Sequence, residues 1–242
     1  AYNIRENGQC VGRQSSKNIR IEPKKDKSGI DIHIAPNTKG ERVYIPACVT
    51  HSNVSDLVYN DFFVGEGVLI PREDTSVVVQ LCLDNIKNLY GTNNLSVIDL
   101  CAGSGAISIS LAKALPNSRV TALELSDKAI YYLQKNIQHN GCGNVEAVKG
   151  NVFTDFNITD AAYDVIISNP PYIISSEIKT LQREVQYEPA MALDGGSDGY
   201  DFYRAIISKW SNKLKSGGLL VFELGENQYD AVSHLMYRQG YK

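Results

Sequence analysis

From about residue 68 onward, apolar residues fall into two alternating patterns. Short solid runs predict buried strands at residues 95–100, 119–125, 144–149, 164–168 and 219–224. Between them, apolar positions recur every three or four residues. That spacing predicts helices over residues 75–89, 106–115, 128–140, 200–214 and 228–238. Pro116 stops the second helix; Ser126 or Asp127 can cap the third, and Gly141 ends it. Strands alternating with helices predict an α/β fold with a mostly parallel sheet covered on both faces.

The first 64 residues carry a different pattern. Residues 18–22, 30–35 and 42–46 alternate apolar and polar positions and are separated by turn residues, which predicts short strands. The chain therefore divides into a small β-rich segment, residues 1–66, and an α/β domain, residues 67–242. The Lys24-Lys25-Asp26-Lys27 run between two strands reads as a solvated turn.

Composition narrows the function classes. A chain of 242 residues with 43% hydrophobic positions can build a sizeable core. A net charge of −3 argues against a protein that grips duplex nucleic acid over its whole surface. The five cysteines (Cys10, Cys48, Cys82, Cys101, Cys142) show no metal-ligand spacing and are odd in number, so reduced thiols and no metal are expected. His33 and His51 stand alone. No apolar run is long enough to span a membrane, and no signal peptide is visible, so a cytoplasmic protein is expected. The chain begins at Ala1 rather than a methionine, which fits a trimmed chain.

Two motifs carry chemistry. The first is Asp99-Leu100-Cys101-Ala102-Gly103-Ser104-Gly105, which leaves a strand and opens a helix. Small residues there let a ligand approach the backbone, and open parallel sheets bind ligands beyond the carboxyl ends of their strands. Glu124 ends the next strand, about 20 positions on, where a carboxylate can accept both ribose hydroxyls. A dinucleotide site is the competing reading, but its third glycine is replaced by Ser108. Asp99 would repel a pyrophosphate and suits a ligand with an ammonium group. S-adenosylmethionine, which leaves as S-adenosylhomocysteine, has one.

The second motif is Asn169-Pro170-Pro171-Tyr172, directly after the strand at residues 164–168. Two prolines stiffen the loop. An amide or aromatic amine is a poor nucleophile because its lone pair is delocalised. The Asn169 side-chain oxygen and the Pro170 carbonyl can accept its N–H groups, and Tyr172 can stack on the flat group. Orientation and electrostatics would then provide most of the rate gain.

Residues 67–242 resemble the HemK/PrmC family of protein-(glutamine-N5) methyltransferases. The likeness rests on residues 67–75, residues 99–106, Asn169–Tyr172, Gly217-Gly218 and Glu223-Leu224-Gly225. Its most specific part is the stretch from Glu184 to Gly199, which contains Glu188-Pro189 and Asp194-Gly195-Gly196. The resemblance implies a Rossmann-like class I S-adenosylmethionine-dependent methyltransferase fold. It implies a cofactor site made by Asp99, Cys101, Ala102, Gly103, Ser104, Gly105, Glu124, Leu125, Asn151, Val152 and Asn169. Substrate contacts fall to Asn169, Pro170, Tyr172, Glu188 and Pro189, with Asn169, Pro170, Pro171 and Tyr172 as the catalytic run. The implied acceptor is a glutamine in the Gly-Gly-Gln loop of a peptide-chain release factor.

Three positions depart from the family pattern. Glu124 stands where Asp is common. Asn151-Val152 stands where Asp and an aromatic are common, which weakens the expected adenine contact. The N-terminal strands stand where the family has a helical bundle. A further strand pair after Gly240-Tyr241-Lys242 is also expected. The segments around Asn7–Arg13 and Asp56–Glu66 resemble part of a SufB/SufD-like iron–sulfur scaffold, which implies a join near Gly65-Glu66-Gly67. Two other functions stay open: adenine-N6 or cytosine-N4 methylation of DNA or RNA, and a non-catalytic scaffold.

Overall fold

The computed structural model describes residues 2–6, 9–14, 19–23, 30–34, 41–45, 60–90, 94–154, 159–182 and 185–241, with side chains described only beyond residue 59. Cys10, Cys48, His33, His51, Glu184 and the lysine-rich turn at residues 24–27 lie, wholly or in their side chains, outside the described residues. The N-terminal strands β1 (Tyr2–Glu6) and β2 (Gln9–Gln14) pair antiparallel, as do β3 (Ile19–Pro23) and β4 (Ile30–Ile34). Next, β5 (Glu41–Ile45) pairs antiparallel with β6 (Asn60–Val64).

The α/β part opens with α1 (Glu73–Leu89). It continues through β7 (Ser96–Leu100), α2 (Ala106–Ala114), β8 (Arg119–Glu124), α3 (Asp127–Asn140) and β9 (Val145–Lys149). It then runs through β10 (Tyr163–Ser168), α4 (Asp201–Lys209), β11 (Leu214–Phe222) and α5 (Tyr229–Arg238). The five strands form one parallel sheet in the order β11-β10-β7-β8-β9. This is the class I methyltransferase arrangement, α/β and Rossmann-like.

Strand alternation splits the core in two. Val97, Val120, Val165 and Ile167 face Val79, Cys82 and Ile86 of α1 and Ile109 and Leu111 of α2. Ile98, Leu100, Leu123 and Ile166 face Tyr203 and Ile206 of α4 and Val232 of α5. A period of two thus sends neighbouring residues to opposite layers, and places Asp99 on the α2 face, beside Val97 in the alternation. Burial pushes the Cys82 thiol up to about 12 and raises that of Cys142, so both behave as packing groups.

Helix α3 is bounded as its sequence suggests. The Ser126 side chain accepts the Ala129 N–H at 3.3 Å, and Gly141 closes the helix at φ 66°. The helix expected over residues 200–214 is shorter, ending at Lys209. The chain tightens into a 3-10 turn at Ser211–Lys213, and Leu214 already belongs to β11. Apolar spacing at Trp210 and Leu214 suits both states, because both residues stay against the same core. Strand β11 starts five residues earlier than expected and absorbs Gly217-Gly218 as a shift in register against β10.

The sheet order reverses between β7 and β10. The chain winds from β7 through β8 to β9, then crosses back to β10 and β11. That reversal opens a crevice at the carboxyl ends of β7 and β10, where Cys101 and Asn169 follow.

Candidate active site

The loop after β7 is held from two sides. The Asp99 carboxylate is fully buried, and its Oδ2 accepts the Ser108 N–H at 3.0 Å and the Ser108 hydroxyl at 2.5 Å. Ser108 lies in the first turn of α2, so Asp99 satisfies one of that helix's free N–H groups. Asp99 Oδ1 is buried and has no partner. Burial raises the Asp99 carboxyl to about 7, against the lowering effect of Ser108, and the nearby Glu124 raises it further.

Cys101 adopts φ 63°, a left-handed conformation uncommon for a side chain with a Cβ. Gly103 and Gly105 follow at φ 56° and 87°. A Cβ on Gly103 would meet nothing within 4 Å, whereas one on Gly105 would meet Leu133 Cδ1 at 2.6 Å. The first glycine therefore borders open space and the second packs against α3. Ala102 and Ser104, on either side of Gly103, are buried.

Glu124 binds this loop to the next one. Its Oε2 accepts the Gly103 N–H at 2.8 Å, while Oε1 accepts those of Leu125 and Ser126, both at 2.8 Å. A carboxylate has about four acceptor positions, so Oε2 retains one for a ligand hydroxyl. Leu125 is exposed beside it. In the loop after β9, Asn151 Oδ1 accepts the Phe153 N–H at 2.9 Å. Val152 is buried in the core, and its carbonyl accepts Trp210 Nε1 at 3.1 Å. Val152 thus has only backbone to offer a ligand. The aromatic missing at Val152 stands one position later, as Phe153, edge-on to Phe202.

The Asn169–Tyr172 loop emerges from the other side of the crevice. Across the seam, the Ser168 hydroxyl donates to the Leu100 carbonyl at 2.6 Å. Pro170 and Pro171 are buried, and Asn169 is half-buried. The Asn169 amide nitrogen donates to Thr75 Oγ1 at 3.3 Å, and the Thr75 hydroxyl donates to Glu223 Oε2 at 2.7 Å. No described residue donates to Asn169 Oδ1, and that atom is left as an acceptor. Tyr172 lies so close to Gly225 that a Cβ there would meet its ring at 2.9 Å. Burial raises the Tyr172 hydroxyl above its ordinary range, with Glu223 adding to it.

The stretch from residue 185 to 199 wraps this loop. Ile173 N–H donates to the Leu193 carbonyl at 2.9 Å, and Gly195 N–H to the Ile173 carbonyl at 2.8 Å. A Cβ on Gly195 would meet Tyr172 Cα at 2.6 Å, so only glycine permits that approach. Glu188 accepts Arg72 Nη2 at 2.8 Å, its side chain only 6% exposed. Burial raises its carboxyl, and Arg72 opposes the shift. Glu188 is thus already engaged within the chain, and Pro189 beside it is half-buried.

Residues 79–194 match the methyltransferase small domain family. The release factor glutamine methyltransferase of Geobacter sulfurreducens is 41% identical over 182 residues, covering 75% of this chain and 61% of that protein. Its namesake from Thermodesulfovibrio yellowstonii is 37% identical over 179 residues, covering 74% and 63%. Over these stretches the chain is similar to the release factor glutamine methyltransferases. It spans about three fifths of the length of these curated relatives. The precorrin-6y C5,15-methyltransferase of Geobacter metallireducens shares the fold, with a TM-score of 0.50 at 19% identity, covering 75% of this chain and 78% of that one.

Four site residues escape a reading of the sequence. Thr75 and Glu223 occur only inside motifs of the family likeness, and Arg72 likewise. Gln228 carries no signal at all. Its Nε2 donates to the Tyr172 carbonyl at 3.1 Å and the Gly199 carbonyl at 3.2 Å, while its Oε1 accepts the Gly225 N–H at 2.9 Å. It therefore pins the transfer loop to the start of α5. No helix among the described residues is long and apolar enough to cross a membrane.

Proposed function

We propose that residues 67–242 are an S-adenosylmethionine-dependent N-methyltransferase whose acceptor is the side-chain amide of a protein glutamine. Supporting residues fit the cofactor. Asp99 has an unpartnered buried oxygen for which an ammonium group is the matching donor. Gly103 borders open space, and Glu124 keeps one acceptor for a ribose hydroxyl. Asp99, Glu124 and Glu223 place three buried carboxyl groups around the crevice, which suits a cationic ligand. When bound, S-adenosylmethionine supplies a methyl group activated on a sulfonium.

One observation carries the reading: the Asn169 amide nitrogen is held by Thr75, which leaves Oδ1 as an acceptor at the carboxyl end of β10. Asn169 Oδ1 and the Pro170 carbonyl would each accept one N–H of the glutamine amide. Those two contacts would fix the nitrogen and draw its lone pair out of conjugation, and on transfer of the methyl group that the cofactor would supply, the nitrogen would give up one proton to solvent. The chain's own residues orient and polarise; no strong base is needed.

The curated relatives are named for release factors, and a release factor glutamine is the proposed acceptor. The test is incubation with methyl-labelled S-adenosylmethionine and either a purified release factor or duplex DNA. Label on a release factor glutamine is the expected result. Label on the DNA alone would replace this acceptor with a base amine.

A further inference from the structure

We propose that Thr75 and Glu223 are positioning residues that fix which end of the Asn169 amide faces the acceptor group. This rests on the transfer role given above to Asn169. An asparagine side chain is nearly symmetric in shape but not in chemistry, since one end donates and the other accepts. Turned the wrong way, Asn169 would present N–H groups to the N–H groups of its substrate.

The geometry sets the direction. Glu223 is 6% exposed and, as a carboxylate, can only accept. Thr75 has one proton to give, and it goes to Glu223 Oε2 at 2.7 Å. Only lone pairs then remain on Thr75 Oγ1. A lone pair requires a donor, so Asn169 must turn its NH2 inward, 3.3 Å from Thr75 Oγ1. Oδ1 is left facing the crevice. Glu223 also accepts a hydrogen bond from the Asn169 side chain directly, so one carboxylate sets the direction of the amide both through Thr75 and by its own contact.

The three residues sit on separate elements. Thr75 is in the first turn of α1, Asn169 follows β10, and Glu223 follows β11. The Tyr203 hydroxyl donates to the Glu223 backbone carbonyl at 2.9 Å, which holds this corner against α4.

The test uses the full chain with Thr75→Val, Thr75→Ser and Glu223→Gln. Valine keeps the shape of threonine but cannot relay polarity, serine restores the hydroxyl, and glutamine can donate as well as accept. Two readouts are needed. The first is the side-chain amide resonance of Asn169 in protein labelled with nitrogen-15 at asparagine, assigned through Asn169→Asp. The second is methyl transfer to a purified release factor, resolved into kcat and KM.

Thr75→Val should move the Asn169 resonance and lower kcat by tenfold to a hundredfold, on the order expected for a misplaced orienting group. KM for S-adenosylmethionine should hold within about twofold. Thr75→Ser should return both readouts toward wild type. Glu223→Gln should move the resonance and lower kcat, and the double variant Thr75→Val/Glu223→Gln should lose little more than Glu223→Gln alone, because both routes to Asn169 start at that carboxylate. An unmoved resonance in Thr75→Val, or full kcat despite a moved one, would overturn the proposal. Absence of transfer by the wild type would instead refute the acceptor assignment, and the resonances would then decide the relay by themselves.

Discussion

Glu124 Oε2 and the Gly103 N–H lie 2.8 Å apart, so one carboxylate at the end of β8 holds the loop at the end of β7. The same side chain accepts two further N–H groups from its own loop. The residue that would meet the ribose therefore also builds the floor on which the ribose would rest.

Replacing Glu124 with Ala would strand three backbone donors. Stability should fall by about 1–3 kcal/mol, the cost of leaving buried polar groups unmet. Cofactor affinity should fall by tenfold or more. Denaturant unfolding and calorimetric titration with S-adenosylmethionine measure the two effects. Unchanged stability would remove the structural role of Glu124.

The two glycines of the loop should separate in their effects. Gly105→Ala places a Cβ 2.6 Å from Leu133 Cδ1 at φ 87° and should destabilise the fold by about 1–3 kcal/mol. Gly103→Ala meets nothing and carries mainly the left-handed backbone cost of about 1 kcal/mol. Its methyl group would instead project into the ligand space. Gly103→Ala should therefore lose cofactor binding while unfolding close to wild type.

Local chemistry made most of the framework legible. Ser126 and Gly141 bound α3 because capping is decided within four residues. Solid apolar runs gave the central strands because parallel strands are buried on both faces. The site was legible as two motifs, but not as a connected object. Arg72 meets Glu188 and Thr75 meets Glu223 across long stretches of chain, and no local periodicity encodes such pairs. The helix expected through residue 214 overran because Trp210 and Leu214 stay on one core face whether or not the helix continues.

The proposed pairing of Asp99 with a ligand ammonium predicts that cofactor binding depends on pH. With its carboxyl raised to about 7, the folded chain holds a proton there that the unfolded chain releases near pH 4. Its contribution to stability is therefore full at low pH and declines as pH rises through 7. Asp99→Asn should flatten that decline. A ligand ammonium favours the charged carboxylate, so affinity for S-adenosylmethionine should rise through pH 7 and level off above it. Titrations at pH 7 in buffers of different ionisation enthalpy should show release of about half a proton per ligand. Proton uptake would contradict the pairing.

Asn169→Ala should separate binding from transfer. Cofactor affinity should stay within about threefold, because the loop after β7 is untouched. Transfer to a release factor should fall by roughly a hundredfold to a thousandfold, as for loss of a preorganised polar contact in other active sites. Single-turnover kinetics with labelled cofactor provides the measure.

Arg72→Met would leave the Glu188 carboxylate buried without its partner. A stability loss of about 1–2 kcal/mol is expected, discounted because Arg72 is itself 40% exposed. The segment that wraps Tyr172 should loosen. Faster hydrogen exchange at Leu193 and Gly195, with a raised KM for the protein acceptor and a nearly unchanged kcat, would show it. Unchanged exchange at those amides would mean that the backbone bonds to Ile173 hold the segment alone.

Asn136, fully buried in α3, donates to the carbonyls of Phe63 and Ser104 and accepts the Phe63 N–H at 2.6 Å. Strand β6 and the loop after β7 are thus riveted to the same side chain. The rivet grips only main-chain atoms of Phe63, so it does not depend on which side chains β6 carries. β6 is held by its side chains as well, since Phe62 and Val64 are buried in the core and the Asn60 amide donates to the Ser110 hydroxyl. A mechanical pull on β6 would therefore be felt at the Gly103 loop at once, through a junction stiff toward force.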